Sequence, residues 1–179
     1  MTDALASRYT ELAAGGIGGI ISGYANISPD GRAQVRQMNL DTDERVADVR
    51  KLSGAVQPRG ARLIVQVAYG GAVSNPAASR LGSIKGPSAM KDPMFGNEVE
   101  ALAPGDIDRI VRDFGAAARR ASQANPQQAG YNWGRAELIE YTNADGKRLP
   151  AVLIKPEDFD PSKKYPLLVY IYETRAVGL

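Results

Sequence analysis

The chain has 179 residues, of which 44% are hydrophobic and 23% are charged, a composition typical of a soluble protein with one medium domain or one small domain and an appendage. It contains neither His nor Cys, which excludes disulfides, thiolate nucleophiles, Cys-based metal sites and any Ser-His-Asp triad. The net charge of +2 does not favour nucleic acid as a partner. With no signal-peptide pattern and no long apolar run, we expect a cytoplasmic protein without membrane contact.

The first helix of the chain is predicted from Leu5, Tyr9 and Leu12, which recur at helical spacing. Gly15 and Gly16 follow this helix and precede an apolar strand pattern. A phosphate-binding loop needs glycines in the opposite context, after a strand and before a helix. We therefore interpret the two glycines as the end of the helix.

Buried strands are predicted over 17–22 and 61–68, because both stretches are nearly continuous apolar runs. A second helix, opened near Asp41 and Asp43, lies between them, and a third follows from position 104 to about 121. This alternation predicts an α/β fold with parallel strands and right-handed crossovers. Apolar stripes are expected to face the core in both helices. In the second helix the stripe is Val46, Val49, Leu52 or Ser53, and Val56, and in the third it is Ile107, Ile110, Val111, Phe114, Ala117 or Ala118, and Ala121.

Two further stretches of this part allow a functional or a structural interpretation. Asp41, Asp43 and Glu44 could hold a cation, but acidic residues are common at a helix N-terminus, where they favour the helix dipole. The segment 70–101 is rich in Gly, Ser and Pro and is predicted as a long loop. Loops of that length are usually functional or disordered.

The composition changes between Ala124 and Gly130, where we place a domain boundary. After it, the sequence predicts strands over 137–142, 151–155 and 166–172, with a turn at 143–146. The expected domains are therefore 1–124 and 125–179.

Five segments of residues 2–124 form a set of motifs in a fixed order. They are Gly19-Ile20-Ile21-Ser22-Gly23-Tyr24, Pro29-Asp30-Gly31-Arg32, Gln66-Val67-Ala68-Tyr69-Gly70-Gly71, Pro87-Ser88-Ala89 and the helix from Asp106 to Ala121. In these segments and their order, residues 2–124 resemble the old yellow enzyme family of NADH:flavin oxidoreductases, whose fold is an eight-stranded βα TIM barrel around FMN. The resemblance implies a partial TIM-barrel fragment with FMN as cofactor. It also implies hydride transfer from NAD(P)H to a small-molecule acceptor such as an activated alkene.

The same resemblance implies three cofactor-binding residues. Gln66 stands where the family has a strand-end Gln that hydrogen-bonds the flavin ring, and an amide offers that ring both a donor and an acceptor. Gly23 and Tyr24 match the segment whose backbone approaches the flavin. The alternative for Gln66 is an amide that merely caps a strand. Tyr69 and Ala72 replace the family's His and Arg.

Only two of the eight barrel strands are recognisable, and the family's substrate-binding His residues are absent. We therefore expect an FMN-dependent oxidoreductase of the ene-reductase type that is incomplete and inactive as an isolated chain, with no catalytic residue of its own. We also expect that purified chain carries no stoichiometric FMN and that it self-associates through open sheet edges.

The tail contains a second set of motifs. They are Asn125-Pro126, Tyr131-Asn132-Trp133-Gly134, Ala136-Glu137-Leu138, Asp145-Gly146, Pro156-Glu157-Asp158-Phe159-Asp160 and Lys163-Lys164-Tyr165-Pro166. In these segments the tail resembles another family, the prolyl oligopeptidase and dipeptidyl-peptidase IV-like serine peptidases. Residues 125–179 would then correspond to the start of a peptidase α/β-hydrolase domain, with Tyr172 in an oxyanion-type position. Without His or an elbow serine, we expect Tyr172 to be unused and peptidase activity to be absent.

Together the two resemblances describe a chimera of two fragments. The alternatives to an oxidoreductase are a non-catalytic or ligand-binding fragment, or a recombined reading frame, with a peptidase-derived tail that lacks its triad.

Overall fold

The structure is a computed structural model, and it describes residues 3–78, 84–130 and 134–167. The chain divides into two compact units, Met1–Ala129 and Gly130–Leu179. Among the described residues, no helix has both the length and the apolar character needed to cross a membrane.

The first unit alternates helices and short strands, as the sequence predicts. Its helices are α1 (Asp3–Ala14), α2 (Arg45–Val56) and α3 (Pro104–Ala124). Its strands are β1 (Gly19–Ile21), β2 (Ala25–Asn26), β3 (Met38–Asn39), β4 (Arg62–Ile64), β5 (Val67–Ala68), β6 (Ile84–Gly86), β7 (Met90–Lys91) and β8 (Glu98–Ala101). The end of α1 has the expected form, because Gly16 adopts a φ of 86°, which a glycine tolerates best.

The two strand regions predicted from the apolar runs pair in parallel, as expected. β1 pairs with β4, so that Ile20 lies opposite Leu63. Further along the same two chain segments, β2 pairs with β5 on one side and with β3 on the other. The crossover from β1 and β2 to β4 and β5 contains α2, which is the arrangement of a βα unit.

The hydrophobic core lies on one face of the strands, and the opposite face is open at β1 and β4. Ile20 and Leu63 are buried against α1 and α2, together with Tyr9, Ala13, Leu52, Val56 and Ala61. A second cluster joins β2 to α2 and α3 through Ala25, Ile27, Leu40, Val49, Ala117, Ala121 and Ala124. On the opposite face Ile21 is 66% exposed and Ile64 is 40% exposed. We call this opposite face the open sheet face.

Two sequence-based expectations for the first unit are wrong. The segment 70–101 is not one long loop, because β8 in it pairs with β6 in parallel and with β7 in antiparallel orientation. The stripe of α3 is buried only in its second half, at Ala117 and Ala121, whereas Ile107 is 51% and Val111 64% exposed. Periodicity identifies the apolar face of a helix but not the partner that would cover it.

The second unit contains an antiparallel hairpin of β9 (Arg135–Thr142) and β10 (Arg148–Lys155), longer than the strands predicted there. Its turn is closed by a hydrogen bond from the Gly146 N–H to the Asn143 carbonyl at 3.0 Å. Of the strand predicted over 166–172, residues 166 and 167 are not in a strand, and 168–172 lie outside the described residues.

Side chains of α2 and Asn125 hold the C-terminal end of α3. The Ser53 hydroxyl donates to the Ala124 carbonyl at 2.8 Å. Asn125 is fully buried, accepts a hydrogen bond from the Gln57 amide, and donates from Nδ2 to the Leu63 carbonyl at 2.6 Å. One side chain therefore ties the end of α3 to Gln57, the residue that follows α2, and to strand β4.

We expect Asn125→Ala to lower the free energy of unfolding by about 1–3 kcal/mol, because it leaves the buried Leu63 carbonyl and the Gln57 amide without their partner. Urea unfolding followed by circular dichroism measures this change. The matched control is Ser122→Ala, an exposed position of the same helix, which should be nearly neutral. Equal unfolding free energies for wild type and Asn125→Ala would contradict the role of Asn125.

Candidate functional site

The two central strand segments change register by one residue between β1 and β2. Ile21 pairs with Ile64, whereas Ala25 pairs with Val67. Three residues at 22–24 therefore lie opposite two residues at 65–66, which makes a bulge in the parallel pair. Bulges redirect side chains and are frequent beside active sites.

Side chains satisfy the backbone groups that the bulge removes from the ladder. The Gly23 N–H donates to the Tyr9 hydroxyl at 2.8 Å, and the Gln66 N–H donates to the Ser22 hydroxyl at 3.0 Å. The Ser22 hydroxyl in turn donates to the Gly23 carbonyl at 2.9 Å. Because a partly buried backbone N–H without a partner costs free energy, these bonds stabilise the conformation of the bulge.

The bulge brings together the three predicted cofactor residues that the structure describes. The backbone of Gln66 bonds to Ser22 and to Ala25, which places Gln66 beside Gly23 and Tyr24. Gly23, Tyr24 and Gln66 are all exposed, and Gln66 shares the open sheet face with Ile64 because side chains alternate along a strand. The fourth predicted residue, Tyr172, lies outside the described residues.

These residues fit one edge of an FMN ring system. The exposed Gln66 amide can donate and accept hydrogen bonds, and Ile21 and Ile64 offer apolar surface beside it. A side-chain carbon added at Gly23 would meet nothing closer than the Tyr9 hydroxyl at 4.0 Å. The packing of the unit therefore does not require a glycine there, whereas close approach of a ligand to the backbone would.

A second group of polar residues joins the loop after β2 to α3. Arg109 makes two hydrogen bonds to the Asp30 carboxylate, at 3.2 and 2.5 Å, and one to Asp113 at 2.9 Å. The Tyr69 hydroxyl donates to Asp30 at 3.0 Å, and these four residues line a cavity of about 470 Å³. We call these four residues the Asp30 clasp. Tyr69 stands where the resemblance places the family's His.

The protonation states in the Asp30 clasp follow from its hydrogen bonds. Burial works to raise the pKa of Asp30, but the hydrogen bonds from Arg109 and Tyr69 and the positive charge of Arg109 help to hold this pKa below its ordinary value. Burial and the Asp30 charge raise the pKa of Tyr69 to about 12. At neutral pH, Tyr69 is therefore a protonated donor to an ionised Asp30 and is not a proton acceptor.

Sequence reasoning missed Tyr9, Ser22 and Arg109 as contributors to these two sites. Arg109 and Asp113 do carry a local signal, the spacing of four residues that lets charges pair along a helix. Tyr9 gave no such signal, because its helical spacing already accounted for it as a core residue.

We expect Asp30→Asn to lower the free energy of unfolding at neutral pH by about 1.5–3 kcal/mol, the range for hydrogen bonds to charged groups. Because the folded-state pKa of Asp30 lies below the ordinary 3.8, its contribution is present above pH 4 or so and is lost as the pH falls through the folded value. Thermal melts of wild type and variant should thus converge as the pH falls below the folded-state pKa of Asp30. The control is Asp108→Asn, an exposed change next to Arg109 in α3. A difference in stability between wild type and Asp30→Asn that does not depend on pH would contradict the assignment.

Comparison with known proteins places the first unit among flavin enzymes. A probable NADH-dependent flavin oxidoreductase of Bacillus subtilis is 33% identical over 109 residues, which are 60% of this chain and 29% of that protein. Morphinone reductase superposes with a TM-score of 0.61 at 30% identity, covering 68% of this chain and 36% of its own. An old yellow enzyme homologue from Zymomonas mobilis gives a TM-score of 0.62 at 25% identity, covering 69% and 36%.

The matched part of the chain spans about a third or less of the length of these proteins. The comparisons confirm the predicted likeness to the old yellow enzymes, to FMN-dependent oxidoreductases and to part of a TIM barrel. A sequence profile of one family matches residues 1–127. The chain therefore belongs to the NADH:flavin oxidoreductase / NADH oxidase family.

Proposed function

We propose that the first unit supplies one edge of the flavin site of an FMN-dependent NAD(P)H:acceptor oxidoreductase of the ene-reductase type. The observation that carries this proposal is the bulge, which sets the exposed Gln66 amide beside the backbone of Gly23 and Tyr24. When bound, FMN would supply the hydride-carrying chemistry, and the protein supplies binding and orientation.

Each residue at the bulge has a separate task in this proposal. Gln66 hydrogen-bonds the pyrimidine edge of the flavin through its amide, and Gly23 admits the ring close to the backbone. Ile21 and Ile64 keep water from the face of the ring that lies over the open sheet face. Tyr9 acts only through Gly23, whose N–H it holds at 2.8 Å, and is therefore a positioning residue.

The proposal assigns no catalytic acid to the described residues. Tyr69, at the strand end, donates to Asp30 and has a pKa of about 12, so its proton is held in the Asp30 clasp. The contacts available from the described residues reach one edge of the flavin and the ring face over Ile21 and Ile64, and they leave the opposite ring face in water. Because tight binding needs a preformed and enclosing site, FMN should bind this chain weakly.

We also propose that residues 125–179 derive from the start of a peptidase α/β-hydrolase domain and have no peptidase activity. The chain has no His, so no imidazole base can activate a serine. A fluorophosphonate serine probe should therefore leave the purified protein unlabelled, and labelling that a single Ser substitution abolishes would refute this proposal.

FMN titrated into the purified chain should quench flavin fluorescence saturably, and gel filtration should then remove the cofactor. We expect Gln66→Ala to raise the Kd for FMN about 5- to 30-fold, since a lost hydrogen bond costs about 1–2 kcal/mol. The matched control is Gln123→Ala, an exposed amide on α3, which should leave the Kd unchanged. An unchanged Kd in Gln66→Ala, or no saturable quenching by the wild-type chain, would contradict the proposal that Gln66 binds the flavin.

A further inference from the structure

A second cavity in the first unit, of about 540 Å³, is lined by three arginines and one acidic residue among the described positions. The arginines are Arg32, Arg36 and Arg45, and the acidic residue is Asp48. Neither the flavin-edge residues nor the Asp30 clasp contributes a side chain to this lining. We call it the arginine cavity.

Arg32 is held in place by the turn that follows it. Its Nε donates to the Gln34 carbonyl at 3.2 Å, and its Nη2 donates to the Val35 carbonyl at 2.5 Å. Two of its donors are thereby used to fix the guanidinium, and the others remain for a ligand. A guanidinium fixed before binding loses less entropy when it binds.

Gln37 stabilises the same turn and has one hydrogen-bond donor, its Nε2, that is not used within the described residues. Its Oε1 accepts hydrogen bonds from the N–H groups of Ala33 at 2.7 Å and Gln34 at 3.1 Å, which identifies the oxygen of the amide. Its Nε2 is buried and has no hydrogen-bond partner among the described residues, although Gln37 lines the arginine cavity. A buried donor without an acceptor is costly, and a small shift of the side chain would let an anion accept from it.

The charges around the arginine cavity are not balanced by the protein groups that line it. Arg45 is the first residue of α2 and lies at the positive end of the helix dipole, where a cation is unfavourable. Its contact with the Asp48 carboxylate is long, at 3.5 Å. The side chain of Arg36 makes no hydrogen bond or ion pair within the described part of the chain, and it is exposed.

We propose that the arginine cavity binds a small oxyanion with two negative charges, and specifically a phosphoryl group. Three guanidinium groups against one carboxylate leave a net charge that a dianion neutralises. Guanidinium groups bind phosphate and carboxylate oxygens through paired hydrogen bonds, so both ligand chemistries suit the cavity. The trigonal set of phosphate oxygens can use donors from several directions at once, which favours phosphate over a planar carboxylate. This site does not depend on the proposed flavin function.

Isothermal titration calorimetry of the full chain with pyrophosphate and, separately, with succinate tests the proposal at constant ionic strength. We expect saturable binding of pyrophosphate that Arg36→Gln weakens about tenfold or more, since it removes a charge-assisted contact. Arg45→Gln should weaken it similarly. The control is Arg112→Gln, which removes the same charge from an exposed position of α3 outside the cavity and should leave binding unchanged.

Binding of succinate alone, with the same dependence on Arg36 and Arg45, would overturn the assignment to a phosphoryl group and identify a carboxylate as the ligand of the cavity. Absence of saturable binding by either probe, or equal weakening by Arg112→Gln, would overturn the site, because the effect would then be one of overall charge. Arg36 is exposed, so its substitution does not threaten folding, and thermal melts check this. Gln66→Ala should leave pyrophosphate binding intact, which separates this test from the test of the flavin proposal.

Discussion

Between Ile21 and Ala25, one strand of the central pair contains one residue more than the strand beside it, and the geometry of the flavin-side residues follows from this mismatch. The extra residue leaves backbone groups of Gly23 and Gln66 without strand partners. Hydroxyl groups of Tyr9 and Ser22 replace those partners. Tyr9 belongs to α1, which packs on the buried face of the sheet. A helix on the buried face therefore stabilises the backbone conformation of the bulge, whose residues Gly23 and Gln66 are exposed.

The buried face of the sheet depends on close packing of small side chains. Ala117, Ala121 and Ala124 are the buried residues of α3, and small side chains let a helix approach its neighbours closely. Asn125 then anchors the end of α3 to the Leu63 carbonyl. The Ile64 carbonyl accepts a hydrogen bond from the Ser22 N–H and therefore faces the strand segment of β1. Because consecutive carbonyl groups of a strand point to opposite edges, the Leu63 carbonyl faces the other edge of β4. Asn125 therefore occupies a position at which a further strand would otherwise pair.

Much of the first unit could be predicted because local patterns determine it. The spacing of Leu5, Tyr9 and Leu12 predicts α1, and the glycines after it predict its end. What could not be predicted depends on contacts between distant parts of the chain. Arg109 and Asp30 are 79 positions apart, and the pairing of β8 with β6 and β7 brings together strands that no periodicity relates.

The candidate site divides in the same way. Gln66, Gly23 and Tyr24 were found through motifs in register with a known family, and the structure brings these residues together. The bulge that brings them together was not predicted, because a register shift is a property of two strands and leaves no mark on either one alone. For the same reason, Tyr69 could be recognised as a departure from the family but not as the hydrogen-bond partner of Asp30.

The segment between β2 and α2 contributes to two cavities of opposite charge, and the difference between them indicates which one can accept a ligand. It gives Asp30 and Asp41 to the cavity of the Asp30 clasp and Arg32 and Arg36 to the arginine cavity. In the first cavity the cations are already neutralised, Arg109 by Asp30 and Asp113 and Lys85 by Asp106 at 2.9 Å. A ligand there would have to break ion pairs before it gained any of its own. In the arginine cavity the excess charge is not paired within the lining, so an incoming anion gains its contacts without displacing a strong internal pair.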